Sequence, residues 1–489
     1  MNTLKTRQVS PWSVLSVTTM GTFLASIQSS ALVLTLPDVM VGLKTDFSTI
    51  LWVLLGYLLM STALVPLIGR LSDLYGRKTF YLIGFLIFTL ASLGAGFAQA
   101  SWQGWDLVIW RLVQGLGAAL LFANSTALVT DAFGKNKTGT ALGINQIASA
   151  AGFVLGPLVG GLLTGFSWRW VFWFNVPLGL MGTLWALRTL PRNGGEREEG
   201  RFDLKGTLLF LVGLTSLLSG ISLLAVPGFS LGAVAVTLSL GVAGLLLFVM
   251  SERRSAHPFL HLELFTDSRL SLPNLTAGLN GLARGAMLFL LTFYLQGTLG
   301  LDPLSAGLAT APFGLAMLVT GPWAGSLSDK GHPGLWSTGG LILASLGLLG
   351  LSFVGVHTPY WLLALEMVLM GAGSGFFNSP NVKLIMNRVS SHHRGMASAT
   401  RILVVNTGQM LALAVIFPFV LARIPQDLMA RIFLYGGGLT GHPAVAEGML
   451  QGIRTAFFAS FILTVLAALI SGLTYHRSRK PRPEEVPLT

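Results

Sequence analysis

Four polar side chains stand inside otherwise apolar runs: Gln28, Arg111, Arg284 and Glu366. A polar or charged group at such depth is costly and marks function by default. Glu366 is the only carboxylate clearly deep within a run, while Asp38 and Asp106 fall near the ends of theirs. Desolvation and a nearby guanidinium pull a carboxylate's proton affinity in opposite directions, which is what a proton carrier needs. Glu366 paired with Arg284 or Arg111 would therefore carry a proton. The same pair would serve equally well as a static tie between two helices. Asp38 joins Glu366 as a candidate for proton coupling. Arg401 and Lys383 lie nearer one end of their runs, where long basic side chains reach out to the interface. Phe376, Phe377 and Asn378 follow the glycine-rich stretch Gly371 to Gly375 and are candidates to line a cavity. The commoner role for such Phe is packing.

The elements that must position these groups are long and apolar. Of 489 residues, 52% are hydrophobic and 10% charged, against roughly 25% charged in a soluble domain. That balance excludes a soluble enzyme of this size and a disordered chain. A membrane-spanning helix needs about 20 apolar residues. Runs of that length recur from 12–36 to 452–475 and predict 14 spans. They divide into a six-helix bundle (1–190), a polar linker (191–204), two inserted spans (205–250), a second linker (251–270), a second six-helix bundle (271–475) and a tail (476–489). The pair at 205–250 also reads as one hairpin that dips without crossing. The excursion from Arg423 to Gln451 reads as a tolerated outer loop, with a lid as the alternative.

Charge placement orients the bundle. The formal net charge is +12. Segments on the side of the N-terminus hold 23 Lys and Arg, and those on the other side hold 5. Basic loops face the cytoplasm, so both termini are expected inside. The same asymmetry removes nucleic acid as the reason for the charge. There is no cysteine, so neither disulfides nor thiolate metal sites can form. Histidines are scattered, and neither a metal site nor a cofactor is expected. No nucleophile elbow, paired carboxylates or histidine cluster suggests an enzyme.

Two motifs organise the chain. Gly69-Arg70-Leu71-Ser72-Asp73 recurs as Gly325-Ser326-Leu327-Ser328-Asp329, 256 residues later and again at the inner end of an even-numbered span. Two homologous halves explain this, as in secondary transporters, whose substrate site lies between the repeats. Gly152, Gly156 and Gly160, with Gly161 beside them, place glycine at every fourth position of the fifth span and make a flat packing face. Pro157 bends that helix.

These motifs resemble the major facilitator superfamily. Gly69 to Lys78 matches its G-x-L-x-D-x-x-G-R-K loop, and Arg111-Leu112-Val113-Gln114-Gly115 its R-x-x-Q-G. Gly152 to Gly161 matches its antiporter motif, G-x-x-x-G-P-x-x-G-G. Trp168-Arg169-Trp170, Phe172, Asn175, Pro177 and Gly179 resemble a stretch of the 14-helix drug:proton antiporter branch, as do Trp52, Tyr57 and Tyr294-Leu295-Gln296.

The resemblance implies an all-α polytopic fold of two six-helix bundles plus two inserted helices, working by alternating access. It implies a conformational gate of Gly69, Asp73, Gly76, Arg77, Lys78 and Asp131, and proton coupling through Arg111 with Gln114 and Gly115. It also places spans 1, 4, 9 and 12 around the cavity. Counted at 1.5 Å per residue, Gln28, Arg111, Arg284 and Glu366 then lie at one level and argue for one pocket, with Tyr57, Phe376 and Asn378 as further substrate contacts. The expected function is proton-coupled export of small amphipathic or hydrophobic compounds across a bacterial cell membrane, by a monomer among lipids. One departure matters: the branch carries a carboxylate where this chain has Gln28. With Arg111 and Arg284, it suggests as an alternative the export of an anionic metabolite or lipid-like molecule.

Overall fold

A computed structural model describes residues 10–133, 138–190, 203–225, 230–255, 267–389, 394–416, 418–421 and 443–478. These residues are helices joined by short turns. The linker 191–202, the segment 256–266, the loop 422–442 and the tail beyond Ser478 lie outside the described residues.

The first half comprises α1 (Pro11–Leu43), α2 (Phe47–Ala63), α3 (Val65–Tyr75), α4 (Arg77–Gly96), α5 (Trp105–Ala132), α6 (Thr138–Thr164), α7 (Trp170–Trp173) and α8 (Asn175–Thr189). Local chemistry sets the breaks. α1 ends at Lys44, whose left-handed backbone (φ 49°) turns its N–H back to the carbonyls of Met40 and Val41. Asp46 opens α2 by accepting the Thr49 N–H at 2.8 Å, the usual N-cap contact. A proline in the first turn of α3 divides the second span into two stacked helices. Gly76, at φ 108°, makes the turn from α3 into α4 in a backbone region that side chains avoid.

α9 (Leu204–Ala225) and α10 (Leu231–Glu252) follow. The second half holds α11 (Ser268–Gly285), α12 (Met287–Thr292), a π-helical turn (Phe293–Thr298), α13 (Pro303–Ala309), α14 (Ala311–Lys330), α15 (Pro333–Leu351), α16 (Tyr360–Met386), α17 (Arg394–Val415), α18 (Pro418–Leu421) and α19 (Pro443–Ser478). Among the described residues, thirteen helical stretches, some joining two or more of these elements, are long and apolar enough to cross a membrane. The fourteenth expected span, 395–421, is not among them: it is helical as α17 and α18, but α17 carries Arg401, Asn406 and Gln409. A helix enclosed by other helices needs no apolar face toward lipid.

The pairing of helices repeats between the halves. α1 packs on α6 as α11 packs on α17, α4 on α5 as α15 on α16, and α2 on α5 as α14 on α16. The halves meet along two seams related in the same way, α6 against α13 and α14, and α17 against α2 and α3. Near the termini of α1 that lie away from the basic loops, a continuous apolar core joins the halves, including Leu36 and Leu54 from one and Leu291, Phe313 and Met367 from the other. At the basic end, Val65, Ile68 and Ala119 pack with Ala399.

The inserted helices form a close pair. A Cβ on Gly213 would lie 2.7 Å from the Leu245 nitrogen, and one on Gly241 2.5 Å from the Leu217 nitrogen. Such contacts let the backbones approach where lipid supplies no hydrophobic drive for association. α9 leans on α17 and α2, while α10 is largely exposed. Each has 22 residues, or roughly 33 Å. This is enough to cross a hydrocarbon core of about 30 Å, so the pair has the length of two spans and not of a shallow hairpin.

Candidate substrate cavity and coupling residues

A cavity of about 170 Å³ lies between the halves, lined from α1, α2, α5 and α6 on one side and α11, α14, α16 and α17 on the other. Its first wall is rich in hydroxyls. Thr22 meets Ser125 at 3.0 Å, Ser26 meets Ser149 at 3.0 Å, and the Asn145 amide donates to Ser125 at 2.8 Å. Tyr57 donates to the Ala25 carbonyl at 2.9 Å and turns its ring to the cavity. These bonds tie α1, α2, α5 and α6 into one wall. The second wall carries Arg284 and Arg401. Arg401 donates to Asn378 Oδ1 at 3.2 Å. Arg284 reaches only the Met317 sulfur at 4.0 Å and lies 5.5 Å from the Phe153 ring centre.

Of the four groups expected at one level, Arg284 alone lines this cavity. Arg111 is turned away from it and fully buried. Its Nε donates to the Val53 carbonyl at 3.0 Å, its Nη1 to Gln114 Oε1 at 2.6 Å, and its guanidinium sits 4.2 Å from the Tyr57 ring centre. Gln114 passes the chain on, donating to Ser92 at 2.7 Å. Gly115 makes room for α2, because a Cβ there would lie 2.7 Å from the Tyr57 carbonyl oxygen. Arg111, Gln114 and Gly115 thus fasten α2, α4 and α5 together.

Gln28 is also buried outside the cavity, where it accepts a hydrogen bond from Asn175 of α8. Glu366 pairs with neither Arg284 nor Arg111. It points toward α15, where a Cβ on Gly350 would come within 2.7 Å of its Cγ. Its Oε2 is buried without a hydrogen-bond partner. Depth along the helix was legible, but the direction the side chain faces was not. Asp38 is exposed near the far end of α1 and takes no part in a buried relay. Phe376 lies against Trp323 and Trp336, at 5.4 and 6.0 Å between ring centres, and does not line the cavity. Asn378 and Tyr57 do. Lys383, half-exposed near the end of α16, donates to the Ser328 carbonyl near the end of α14 at 2.8 Å.

The loop motif makes contacts within the first half. Arg77, at the start of α4, forms an ion pair with Asp131 at the end of α5. Lys78 donates to the Leu190 carbonyl after α8. Gly69 and Gly76 have open space where a Cβ would stand. The side chains of Asp73 and Asp329 lie outside the described residues. Between the halves at this end, the described contacts include α3 and α5 against α17. Asp131→Asn should cost less than about 1 kcal/mol of stability, as for other partly exposed pairs. Transport should nevertheless slow several-fold if the pair gates switching. Melting temperature and initial flux on one preparation check this, and unchanged flux would remove the gating role.

The glycine face of α6 fits α1. Cβ atoms on Gly152, Gly156 and Gly160 would meet the Phe23 carbonyl oxygen at 2.7 Å, Ser30 Oγ at 1.9 Å and the Ala31 carbonyl oxygen at 2.3 Å. Beyond Pro157, α6 turns to the second half, where a Cβ on Gly307 would lie 3.0 Å from the Pro157 carbonyl oxygen. Gly161 continues α6 beside Gly160.

Sequence reasoning missed the polar face of α17. Arg401, Asn406 and Gln409 all line the cavity. Their spacing of five and three residues does not form a clean helical stripe. The available signal was the low apolar content of 394–415 for a span. Among the described residues, no group of His, Asp and Glu stands close enough to share a metal ion.

Comparison with known proteins agrees with this architecture. A family model for the Major Facilitator Superfamily matches residues 18–260 and 274–489. Multidrug resistance protein Stp of Mycobacterium tuberculosis is 33% identical, over 78% of this chain and 71% of its own length. Riboflavin transporter RibZ of Clostridioides difficile is 30% identical, over 78% of this chain and 82% of its own. Among solved structures, the human organic anion transporter MFSD10 superposes with a TM-score of 0.60 at 16% identity, covering 93% of this chain and 99% of that one. An identity that low speaks for the fold alone. With both halves matched by one family model and the repeated helix pairing in place, the chain belongs to the Major Facilitator Superfamily of membrane transporters.

Proposed function

We propose that this transporter exports small amphipathic compounds in exchange for protons, by alternating access, from a bacterial cell membrane with both termini on the cytoplasmic side. One observation carries the reading. The cavity lies between two halves of matching construction, on the basic side of an apolar seal that closes the opposite end. A substrate enters from the basic side, and export requires that seal to part. The seam of α6 against α13 and α14 would open while α3 and α17 stay together. The two halves, 1–190 and 271–475, act as the rocking units, and the inserted pair α9 and α10 rides on their lateral edge. The multidrug resistance relative supports efflux.

Glu366 is the group we assign to the proton. It is buried at 7% exposure, its Oε2 lacks a hydrogen-bond partner, and no described cation pairs with it. Packed against Gly350, it neighbours the Tyr294 turn at the sealed end. Parting of the seal would change its surroundings, and a carboxylate moved between dry and wet surroundings binds and releases a proton. Inward proton movement supplies roughly 2.3 kcal/mol per charge per 100 mV of potential. Proteoliposomes with an imposed pH gradient should accumulate an amphipathic dye against its concentration gradient, and a protonophore should abolish the accumulation. Accumulation that ignores the gradient would exclude proton exchange.

The second reading, export of an anionic compound, is favoured by a cavity lining that holds two arginines and, among the described residues, no carboxylate. The relative named as a riboflavin transporter is compatible with this second reading.

A further inference from the structure

Three arginines stand within the helices, Arg111 and Arg401 buried and Arg284 half-buried, and they are not alike. Arg111 spends its donors on Val53 and Gln114 and packs on Tyr57. It is a fastening within one half. Arg401 is 8% exposed, holds one hydrogen bond to Asn378, and leaves Nε without a partner. Arg284 has only the Met317 sulfur contact, and its Nε is also unpartnered. A guanidinium offers five N–H donors in a fixed fork. Among the described residues neither of these two forms an ion pair, and both face the cavity.

Their spacing is set by helix packing. Gly281 of α11 rests on Val405 of α17, and Gly285 on Gln409. That register puts Arg284 level with position 408, two turns or about 10 Å further from the basic end than Arg401. Opposite them stand the rings of Phe153, Phe122 and Tyr57. Two cavity-facing cations with unpartnered Nε donors, no counter-charge among the described residues and an aromatic wall suit an anion with an apolar body. An uncompensated buried charge is expensive, and an incoming oxyanion can engage a guanidinium fork in two parallel hydrogen bonds.

We infer that Arg284 and Arg401 bind the acidic head of an anionic amphipath, a carboxylate, sulfonate or phosphate whose apolar aromatic body lies against Phe153, Phe122 and Tyr57. Arg401 meets the head first from the basic end, and Arg284 holds it at depth. Cationic amphipaths are rejected by the same pair, since like charges brought together in a dry cavity are costly. This assignment rests on the cavity being the transport site.

The test uses three probes with one aromatic body: pyrene-1-sulfonate, neutral 1-pyrenemethanol and 1-pyrenemethylammonium. Binding to the purified full-length protein is followed by fluorescence and by the shift in melting temperature. The sulfonate should bind at least about tenfold more tightly than the ammonium, the scale of one charge-assisted contact. Arg284→Gln with Arg401→Gln should remove that preference, and Arg284→Lys with Arg401→Lys should restore most of it. Each variant's melting temperature without probe shows that it is folded. Equal binding of sulfonate and ammonium to the native protein would overturn the inference. So would an undiminished preference in the folded double Gln variant. Repeating the titration in nanodiscs of anionic and of zwitterionic lipid separates two sources of the head group: displacement of the sulfonate by anionic lipid alone would identify a lipid. Flux of all three probes in proteoliposomes keeps the two readings apart. Export of the neutral or cationic probe without sulfonate binding would sink the anion site alone. Sulfonate binding at Arg284 without flux of any probe would sink the exporter reading alone.

Discussion

Gly160→Val should prevent the first half from assembling. The smallest addition at this position, a Cβ, falls 2.3 Å from the Ala31 carbonyl oxygen and 3.0 Å from its carbon. Both atoms belong to the backbone of α1, so no rotamer change relieves the clash. The helices must separate along a seam that also carries Gly152 and Gly156. Overpacking in well-filled cores costs about 1–3 kcal/mol and sometimes more. Here the partner is main chain, and a branched side chain must be placed beyond the Cβ. The expected result is loss of the monodisperse peak on size exclusion and of transport together. Gly143→Ala on the same helix is the control, because nothing lies within 4 Å of its added Cβ. It should leave folding and transport intact, with a gain of up to about 1 kcal/mol from helix propensity. A folded, active Gly160→Val protein would show that α1 and α6 do not pack as described.

Glu366→Gln should abolish proton-driven accumulation, by tenfold or more on the scale of a general proton-transfer role, while leaving substrate exchange in place. Glutamine keeps the shape that fits against Gly350 and removes only the titrating oxygen. Equilibrium exchange of substrate across proteoliposomes, with no pH gradient, needs the cavity and its alternation but no net proton movement. Accumulation under a gradient needs all three. Loss of accumulation with retained exchange therefore assigns the proton to Glu366. Loss of both means that the side chain holds α16 on α15 and nothing more. Unchanged accumulation would end the role of Glu366 in coupling.

Several features of the chain were legible before any coordinates. The apolar runs located the helices, because a segment in lipid must satisfy its backbone internally and does so as a helix. The described residues include thirteen such helical stretches. The glycines of α6 marked a close seam, because only glycine admits the α1 backbone at 2.3 to 2.7 Å from a Cβ position. The motif match named Asp73 and Arg77 as the working pair of the gate with Asp131 as a third member, and the ion pair among the described residues joins Arg77 to Asp131. The α17 segment is too polar to qualify as a span, a signal of its inward polar face that the sequence reading, which took 205–250 as its weakest spans, passed over.

What sequence could not settle was azimuth. Counting residues places Arg111, Arg284 and Glu366 at similar depths, because helix rise is constant. Whether a side chain at that depth faces the cavity, a neighbouring helix or lipid depends on rotation about the helix axis. In a soluble protein the apolar stripe would report that rotation. In a membrane bundle the lipid and the protein core are both apolar, so the stripe fades, and only the contacts between helices fix the turn. The sequence by itself therefore determined the membrane class, the helices, their expected orientation from the basic loops, and which few polar groups are buried. The tertiary structure alone decided that Arg111 fastens the first half, that Glu366 lies against α15 away from both arginines, and that Arg401, not Gln28, joins Arg284 in the cavity.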